Sequence, residues 1–197
     1  MSKKILYVVD MQRDFMPFEG SALPVPGGDA AIAPINARLE ALDPKEYEFV
    51  VFSEDFHAPD FVEHMPDGTP FAAHCVAGTE GAKTIVDLSL VPANIPVMLI
   101  RKNAFDVWEE DTLPVFDFRT GQKMDLERNE LFSSAQDMDV VDVVLTGVCS
   151  DICVSQAGKG LLDRGFNVTV PRNCVKGLFR EIEQVNAEDW GGRANLI

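Results

Sequence analysis

The chain has 197 residues, a formal net charge of −15 at pH 7 and a sequence pI near 4.5. Hydrophobic residues make up 46% of it and charged residues 25%, ordinary proportions for a soluble globular protein with one substantial core. The acidic balance disfavours binding to nucleic acids or to anionic membranes, because their phosphates would repel such a surface.

The N-terminal segment carries only a short apolar run, Ile5 to Val9, which Asp10 interrupts. A signal peptide needs a longer apolar region and a small-residue cleavage site, and no segment approaches the roughly 18 apolar residues of a membrane span. We therefore expect a cytoplasmic protein. Disulfides are rare in that compartment, so the cysteines are expected to be thiols. They are Cys75, Cys149, Cys153 and Cys174.

Short runs rich in isoleucine, valine and leucine predict the strands. The predicted strands are 4–10, 48–53, 96–102, 141–147, 166–172 and the closing residues 193–197. Near-continuous apolar runs are typical of strands buried on both faces of a parallel sheet. Helical spacing of apolar residues predicts helices over 27–44 and 151–165. Strands that alternate with helices favour a doubly wound α/β fold.

Two stretches interrupt this alternation. Residues 54–83 contain all three histidines, and residues 103–135 are acidic and aromatic with weak periodicity. Loops of this length in a compact domain tend to be functional. The sequence has no internal repeat, low-complexity tract or linker, so it predicts a single domain over 1–197.

Polar side chains stand at the carboxyl ends of the predicted strands. They are Asp10, Asp55 with His57, Lys102, and Cys149 with Cys153. In an open α/β sheet these positions converge on one crevice. There Asp10 could take a thiol proton, Lys102 could balance negative charge and Cys153 could attack a carbonyl carbon. Taken singly, each residue type is more often structural, as a turn former, a surface charge or a packing thiol.

The two cysteines after the fourth predicted strand are not equivalent. Ser150 or Asp151 can cap the next helix, so Cys153 falls in its first turn, where unpaired N–H groups and the helix dipole favour a thiolate. The same N–H groups could bind an oxyanion. Cys149 precedes the helix and lacks that placement. The C-x₃-C spacing also differs from the C-x₂-C of thioredoxin-like redox sites and zinc knuckles.

The histidine-containing loop suggests a metal site. Asp55 and His57 are two residues apart, so an extended chain points both side chains the same way, and His74 returns later in the loop. One aspartate and two histidines suit zinc, manganese or iron(II), with Asp67 or His64 as a fourth ligand. Such a metal could hold a ring nitrogen of the substrate beside the nucleophile. The alternative is that the three histidines are surface residues.

Six motifs resemble those of the isochorismatase-like cysteine hydrolases, and within them the nicotinamidase/pyrazinamidase branch. They are "YVVDMQRDFM" (7–16), "GSALPVPGG" (20–28), "SEDFHAP" (53–59), "FAAHCVAGTEGA" (71–82), "LIRKNAFD" (99–106) and "LTGVCSDICVSQA" (145–157). They occur in the family's order. The resemblance implies a six-stranded parallel sheet with helices on both faces, a Rossmann-like three-layer sandwich, and a homo-oligomer.

The resemblance also implies roles for particular residues. The catalytic triad would be Asp10, Lys102 and Cys153. The metal ligands, with zinc as the first choice of ion, would be Asp55, His57 and His74, with Asp67 as a further ligand. A cis peptide between Val148 and Cys149 would aim the N–H groups of Cys149 and Cys153 at the oxyanion.

The aromatic walls depart in part from the family pattern. Phe15 would form one wall, as in the family. Phe71 stands where the family has a tryptophan, and "DFHAP" replaces the usual D-W-H-P. The segment 103–127 differs from the tyrosine- and serine-containing segment of many nicotinamidases, so we expect Phe105 and Trp108 to line the pocket instead.

The motifs therefore predict a metal-assisted hydrolase that converts nicotinamide and water to nicotinate and ammonia through a thioester on Cys153. The changed segment 103–127 leaves another small amide, ureido or carbamoyl substrate as the alternative. A non-catalytic binding protein that kept the fold is a third interpretation, against which the intact Asp10, Lys102 and Cys153 argue.

Overall fold

A computed structural model describes residues 2–62, 64, 68 and 70–197. The strands are β1 (Lys4–Val9), β2 (Tyr47–Asp55), β3 (Val97–Lys102), β4 (Pro114–Asp117), β5 (Lys123–Glu127), β6 (Asp142–Val148), β7 (Asn167–Val170), β8 (Val175–Lys176) and β9 (Asn195–Leu196). The helices are α1 (Ile32–Glu40), α2 (Arg128–Asp137), α3 (Cys153–Asp163) and α4 (Ile182–Glu188). The strands form one sheet in the order β5-β4-β3-β2-β1-β6-β7-β9, with β8 paired to β6.

The six predicted strands are present as β1, β2, β3, β6, β7 and β9, and every pairing among them is parallel. The α/β class is thereby confirmed. The prediction of a six-stranded, wholly parallel sheet needs correction, because β4 and β5 extend one edge in antiparallel pairing and β8 adds a short parallel pair.

The additional edge strands and α2 come from residues 103–135, which the sequence presents as an aperiodic loop. β5 reads "KMDLE", with no fully buried residue, so it lacks the apolar run of a buried strand. The start of α2 is instead marked by a capping box. The Glu127 side chain accepts the backbone N–H of Glu130, and the Glu130 side chain accepts the backbone N–H of Glu127.

Helices cover both faces of the sheet. Alternate residues of β1 divide between two apolar cores, with Tyr7 and Val9 in one and Leu6 and Val8 in the other. The first core includes buried side chains of α2, α3 and α4, and the second includes those of α1. This arrangement confirms the three-layer sandwich. Its core residues come from the apolar runs that predict the strands and helices.

The centre of the sheet brings four strand ends together. In the order β3-β2-β1-β6 all neighbours are parallel, so their carboxyl ends lie at one edge. Gly147 in β6 has φ of +116°, and a Cβ there would lie 2.0 Å from the Val9 carbonyl oxygen. Glycine is therefore required for β6 to approach the end of β1. None of the helices described is both long and apolar enough to cross a bilayer.

Candidate active site

The candidate catalytic side chains meet at this edge of the sheet. Asp10 follows β1 directly, and Asp55 and Lys102 are register partners at the ends of β2 and β3. Cys153 begins α3 after β6. All four residues are 5% exposed or less. The parallel pairing of β3, β2, β1 and β6 thus brings residues that are far apart in the sequence to one edge of the sheet.

Lys102 is the centre of this cluster. Its Nζ lies 2.8 Å from Asp10 Oδ2, contacts Asp55 Oδ1 and lies 3.6 Å from Cys153 Sγ. One buried ammonium therefore faces two carboxylates and the sulfur, which makes charge compensation local rather than dependent on solvent.

The surroundings shift the acidity of each group. Burial raises the pKa of the Asp10 carboxyl, an effect that Lys102 opposes but does not cancel. Burial also disfavours the ionised form of Asp55, but the Lys102 ammonium and the neighbouring His57 and His74 side chains outweigh it and lower that pKa. For Lys102 itself, the two carboxylates outweigh burial and raise its pKa.

The surroundings of Cys153 oppose its ionisation, against the effect expected from its place at the start of a helix. Burial raises the pKa of this thiol well above its ordinary value, and Lys102 only partly offsets the effect of burial and of the nearby carboxylates. The N-terminal position on α3 is present, but desolvation is the larger effect. Burial therefore favours the protonated thiol, and it also raises the pKa of the neighbouring Asp10 carboxyl, the proton acceptor expected from the sequence.

The backbone before α3 has the expected conformation. The peptide between Val148 and Cys149 is cis. Cys153 is the first residue of α3, a position whose N–H has no acceptor within the helix. Oxyanion binding by the N–H groups of Cys149 and Cys153 stays a prediction.

A group of side chains that could hold a metal ion, the candidate metal-binding group, adjoins this cluster and shares Asp55 with it. One ligand atom from each of Asp55, His57 and His74 lies within 4.8 Å of the others, and all three residues are buried. Asp55 Oδ2 is 3.8 Å from His57 Nε2 and 3.7 Å from His74 Nε2. Ligand atoms on a tetrahedral zinc are about 3.4 Å apart at ordinary bond lengths, so the donor set fits such an ion.

Neighbouring contacts orient these ligands. The Nδ1 atom of His74 lies 2.8 Å from the carbonyl oxygen of Ala72, which directs Nε2 toward Asp55. Because Lys102 holds Asp55 Oδ1, the other oxygen faces the histidines. Asp67, a predicted ligand, lies outside the described residues. His64, the alternative, is exposed and is absent from the group formed by the described residues.

Three of the four predicted aromatic residues surround this region. The Phe15 ring lies 5.5 Å from the His74 ring, Phe71 lies 6.2 Å from His74, and Phe105 lies 5.3 Å from Phe71. Phe71 and Phe105 also line a cavity of about 270 Å³ beside the turn that leads into α3.

Trp108 lies elsewhere, and its predicted place in the pocket is corrected. Its ring packs between the guanidinium groups of Arg128 and Arg164, at 5.2 and 3.9 Å, and its Nε1 donates to the carbonyl of Ala157 at 3.3 Å. It contacts the outer side of α3, where Gly160 leaves room for the indole. Phe105 and Trp108 are close in sequence, but the chain bends between them, so the two rings lie in different parts of the structure.

Comparison with known proteins identifies the family. The model of the Isochorismatase domain matches residues 4–189. The chain belongs to the isochorismatase family. It is 24% identical over 198 aligned residues to a nicotinamidase of Escherichia coli (strain K12), with 90% of this chain and 85% of that protein covered.

Solved structures share the isochorismatase fold. A pyrazinamidase of Pyrococcus horikoshii in complex with zinc is 28% identical, with a TM-score of 0.74 and coverage of 99% and 98% of the two chains. PnC1 from L. infantum in complex with nicotinate has a TM-score of 0.72 over 100% and 92% of the chains, and at 22% identity this similarity concerns the fold alone.

Within this isochorismatase-family site, sequence reasoning missed three supporting residues. Ser53 Oγ donates to Asp10 Oδ1 at 2.8 Å, and Gln12 bonds both the N–H and the carbonyl of Asp55, each at 2.8 Å. Phe61 stacks on His57 with 4.6 Å between ring centroids. Gln12 stands within the "DMQRDF" motif, which was a usable signal. Ser53 begins the "SEDFHAP" motif, although only strand register brings it to Asp10, whereas Phe61 carries no local signal because its importance depends on the path of the loop.

Proposed function

We propose that this protein is a metal-assisted cysteine amidohydrolase whose substrate is nicotinamide. The observation that supports this most is the position of Lys102, whose Nζ contacts Asp10 and Asp55 and lies 3.6 Å from Cys153 Sγ. One lysine thereby links a proton acceptor, a nucleophile and a carboxylate of the metal-binding group. The identities of the family and of its nicotinamidase relatives agree with this chemistry.

In the proposed reaction Asp10 takes the proton of the Cys153 thiol as the sulfur attacks the carboxamide carbon. Lys102 balances the negative charge that this transfer leaves among sulfur and carboxylates. The N–H groups of Cys149 and Cys153 receive the oxyanion of the tetrahedral intermediate. Asp10 returns the proton to the departing amine, ammonia leaves, and a thioester on Cys153 remains. Asp10 then deprotonates a water molecule that attacks the thioester, the C–S bond breaks to release the acid, and Asp10 returns the proton to the Cys153 sulfur.

The metal would be held by Asp55, His57 and His74, with Asp67 as a further ligand. When bound, it supplies a Lewis-acid position that orients a substrate through the ring nitrogen of a pyridine. Zinc is the ion we propose, in agreement with the donor set and with the zinc in the Pyrococcus horikoshii structure. Manganese and iron are the alternatives that the same ligands suit.

Phe15, Phe71 and Phe105 would form the aromatic walls around a flat acyl group. Two of these rings lie within 6.2 Å of the His74 ring, which would bring the substrate ring close to the metal ligands. The alternative substrates, small ureido or carbamoyl compounds, lack a large apolar ring and would leave these walls in contact with water.

The test is an amide panel assayed for ammonia release, with zinc, manganese or iron added to the purified protein. We expect nicotinamide to be the best substrate, Cys153→Ala to remove nearly all turnover, and Cys149→Ala, the matched thiol control, to keep part of it. Substantial turnover of nicotinamide by Cys153→Ala would contradict the mechanism. Preference for a ureido or carbamoyl compound would support the alternative substrate class.

Other properties belong with this proposal. A single domain over residues 1–197, a cytoplasmic location and a homo-oligomeric assembly stay predictions. So does the expectation that the partner is a small-molecule amide rather than a nucleic acid or a membrane.

A further inference from the structure

A cavity lies beside the start of α3. It has a volume of about 270 Å³, and Phe71, Phe105, Ile152 and Phe179 contribute apolar parts of its lining. Ile152 directly precedes Cys153, and the Phe71 ring contacts that of His74. The cavity is therefore bordered by the residue before Cys153 and by an aromatic ring that packs near a candidate metal ligand.

Its outer wall is a segment, residues 177–181, that is fixed to the turn before the nucleophile. The Asp151 carboxylate accepts the backbone N–H groups of Leu178, Phe179 and Arg180 at 2.8, 2.7 and 2.9 Å. Ser150 Oγ donates to the carbonyl of Arg180 at 2.6 Å. Four hydrogen bonds from two residues of the Cys153 turn thus set the position of this segment.

Phe179 is an unusual side chain in that rigid setting. It is 71% exposed, the most exposed of the large hydrophobic residues among those described. The nearby charge of Arg180 is compensated by Asp189 at 2.8 Å and Glu188 at 3.1 Å. The Asp151 carboxylate is satisfied by backbone N–H groups. Apart from Gln156, the cavity therefore offers a ligand mainly an aromatic and aliphatic surface, with no uncompensated cation to attract an acidic group.

We propose that this cavity is a subsite for a flat, apolar substituent on the acyl group, so that the site takes aromatic carboxamides larger than nicotinamide. Phe179 is its outer wall and Asp151 is a positioning residue that holds Phe179 over the Cys153 turn. This inference rests on the proposed function, because it takes the acyl group of that reaction as the occupant. An aromatic substituent would cover the Phe179 ring and gain the free energy of apolar burial.

The test uses the reaction's acid products as ligands and is independent of turnover. Isothermal titration calorimetry of the zinc-loaded protein would compare nicotinate with phenyl-substituted nicotinates, one for each open ring carbon. We expect at least one phenyl-substituted acid to bind about tenfold more tightly than nicotinate. Phe179→Ala should remove most of this preference and Asp151→Asn part of it. Met138→Ala, which changes another exposed hydrophobic residue, 54% exposed, should keep it.

The outcomes separate the two proposals. Three results would overturn the subsite. They are the absence of a preference for a phenyl-substituted acid over nicotinate in the unmodified protein, retention of that preference by Phe179→Ala, and failure of every acid to bind. If the preference is present but no amide is hydrolysed, the subsite stands and the proposed reaction fails. If nicotinamide is hydrolysed without any preference among the acids, the reaction stands and the subsite fails.

Discussion

Lys102 determines the charge balance at the scale of single residues. It is 1% exposed and lies between two carboxylates that are equally buried. A buried pair of this kind is weak evidence for stability, yet removing one partner leaves an uncompensated buried charge. The lysine is therefore expected to be needed for both the fold and the reaction.

Lys102→Gln should show this double dependence. The substitution leaves Asp10 and Asp55 facing each other without an ammonium, so we expect a loss of about 3–5 kcal/mol in the free energy of unfolding. The turnover of nicotinamide should fall by a factor on the order of 10² or more, because the charge formed on proton transfer from Cys153 is no longer balanced. Urea unfolding and ammonia release measure the two effects.

The matched control is Lys159→Gln. Lys159 forms an exposed pair with Asp163 at 2.7 Å, and such pairs contribute about 0.5 kcal/mol or less. If the two substitutions lowered the free energy of unfolding and the turnover equally, burial of the Lys102 cluster would not increase the effect of losing a lysine.

Glu54, the neighbour of Asp55 in β2, predicts a pH effect on stability. Burial raises the pKa of its carboxyl, although hydrogen bonding from Thr84 and the charge of Arg101 act in the opposite direction. The folded state then binds this proton at a higher pH than the unfolded chain does. The contribution of Glu54 to stability is therefore most favourable at low pH and is lost as pH rises through the raised pKa.

Glu54→Gln removes this titration. We expect the Tm difference, variant minus unmodified protein, to increase from pH 4 to pH 7, because only the unmodified protein has to ionise a buried carboxyl. Thermal unfolding at several pH values, followed by circular dichroism, measures it. A Tm difference that is constant across this range would contradict the raised pKa.

At the scale of elements, α3 is positioned by close packing at its glycines. A Cβ on Gly158 would lie 2.3 Å from Trp190 Cζ2, and Trp190 is 1% exposed, with its Nε1 donating to the Ser155 carbonyl at 3.0 Å. The helix that begins with Cys153 is thus held against an indole that has no room to move. Displacement of α3 would also displace Cys153, the proposed nucleophile.

Gly158→Ala is expected to destabilise the protein although alanine favours helices. Overpacking against Trp190 costs about 1–3 kcal/mol, which exceeds the gain of up to about 1 kcal/mol from helix propensity. Lys159→Ala, on the exposed side of the same helix, should change stability by about 0.5 kcal/mol or less. Chemical denaturation of both variants measures the difference. A stabilising effect of Gly158→Ala would show that the indole can shift at little cost.

The elements also show how far the sequence can predict this fold. β1, β2, β3 and β6 are buried on both faces, so their composition reveals both their type and their parallel pairing. The edge strands β4 and β5 bury little, and their charged residues remove the apolar pattern. The pairing of an edge strand depends on the unpaired backbone groups of β3. The residues of β4 and β5 by themselves therefore do not predict that pairing.

The same limit applies to the site. Asp10, Lys102 and Cys153 could be found because each stands at a strand end or a helix start, where α/β topology collects side chains. The raised pKa of Cys153 could not be found from the sequence, since it depends on desolvation by the packed core rather than on the residue's place in the helix. The position of Trp108 was predicted wrongly because spacing along an irregular segment does not determine the direction in which a side chain points.

At the scale of the whole molecule, metal binding should be linked to folding. The ligands come from the end of β2 and from a loop residue 17 positions after His57, so the site exists only in the folded chain. An ion at 100 times its dissociation constant would add about 2.7 kcal/mol to the free energy of unfolding.

Zinc should therefore raise the Tm of the metal-free protein, and chelation should reverse the effect. His57→Ala should abolish the response, whereas His64→Ala, which changes an exposed histidine outside the group, serves as the control. Calorimetric scans with and without zinc provide the measurement. Chelation that lowers Tm but leaves the affinity for nicotinamide unchanged would indicate a purely structural metal.

The most direct measurement of the central claim is acid-quenched mass spectrometry of the zinc-loaded protein during turnover of nicotinamide. If Cys153 attacks the carboxamide, peptide mapping should find a nicotinoyl thioester on the peptide that contains it, carried by Cys153 itself and absent from Cys153→Ala. Release of ammonia with the acyl group on Cys149, or persistence of the adduct in Cys153→Ala, would contradict the account.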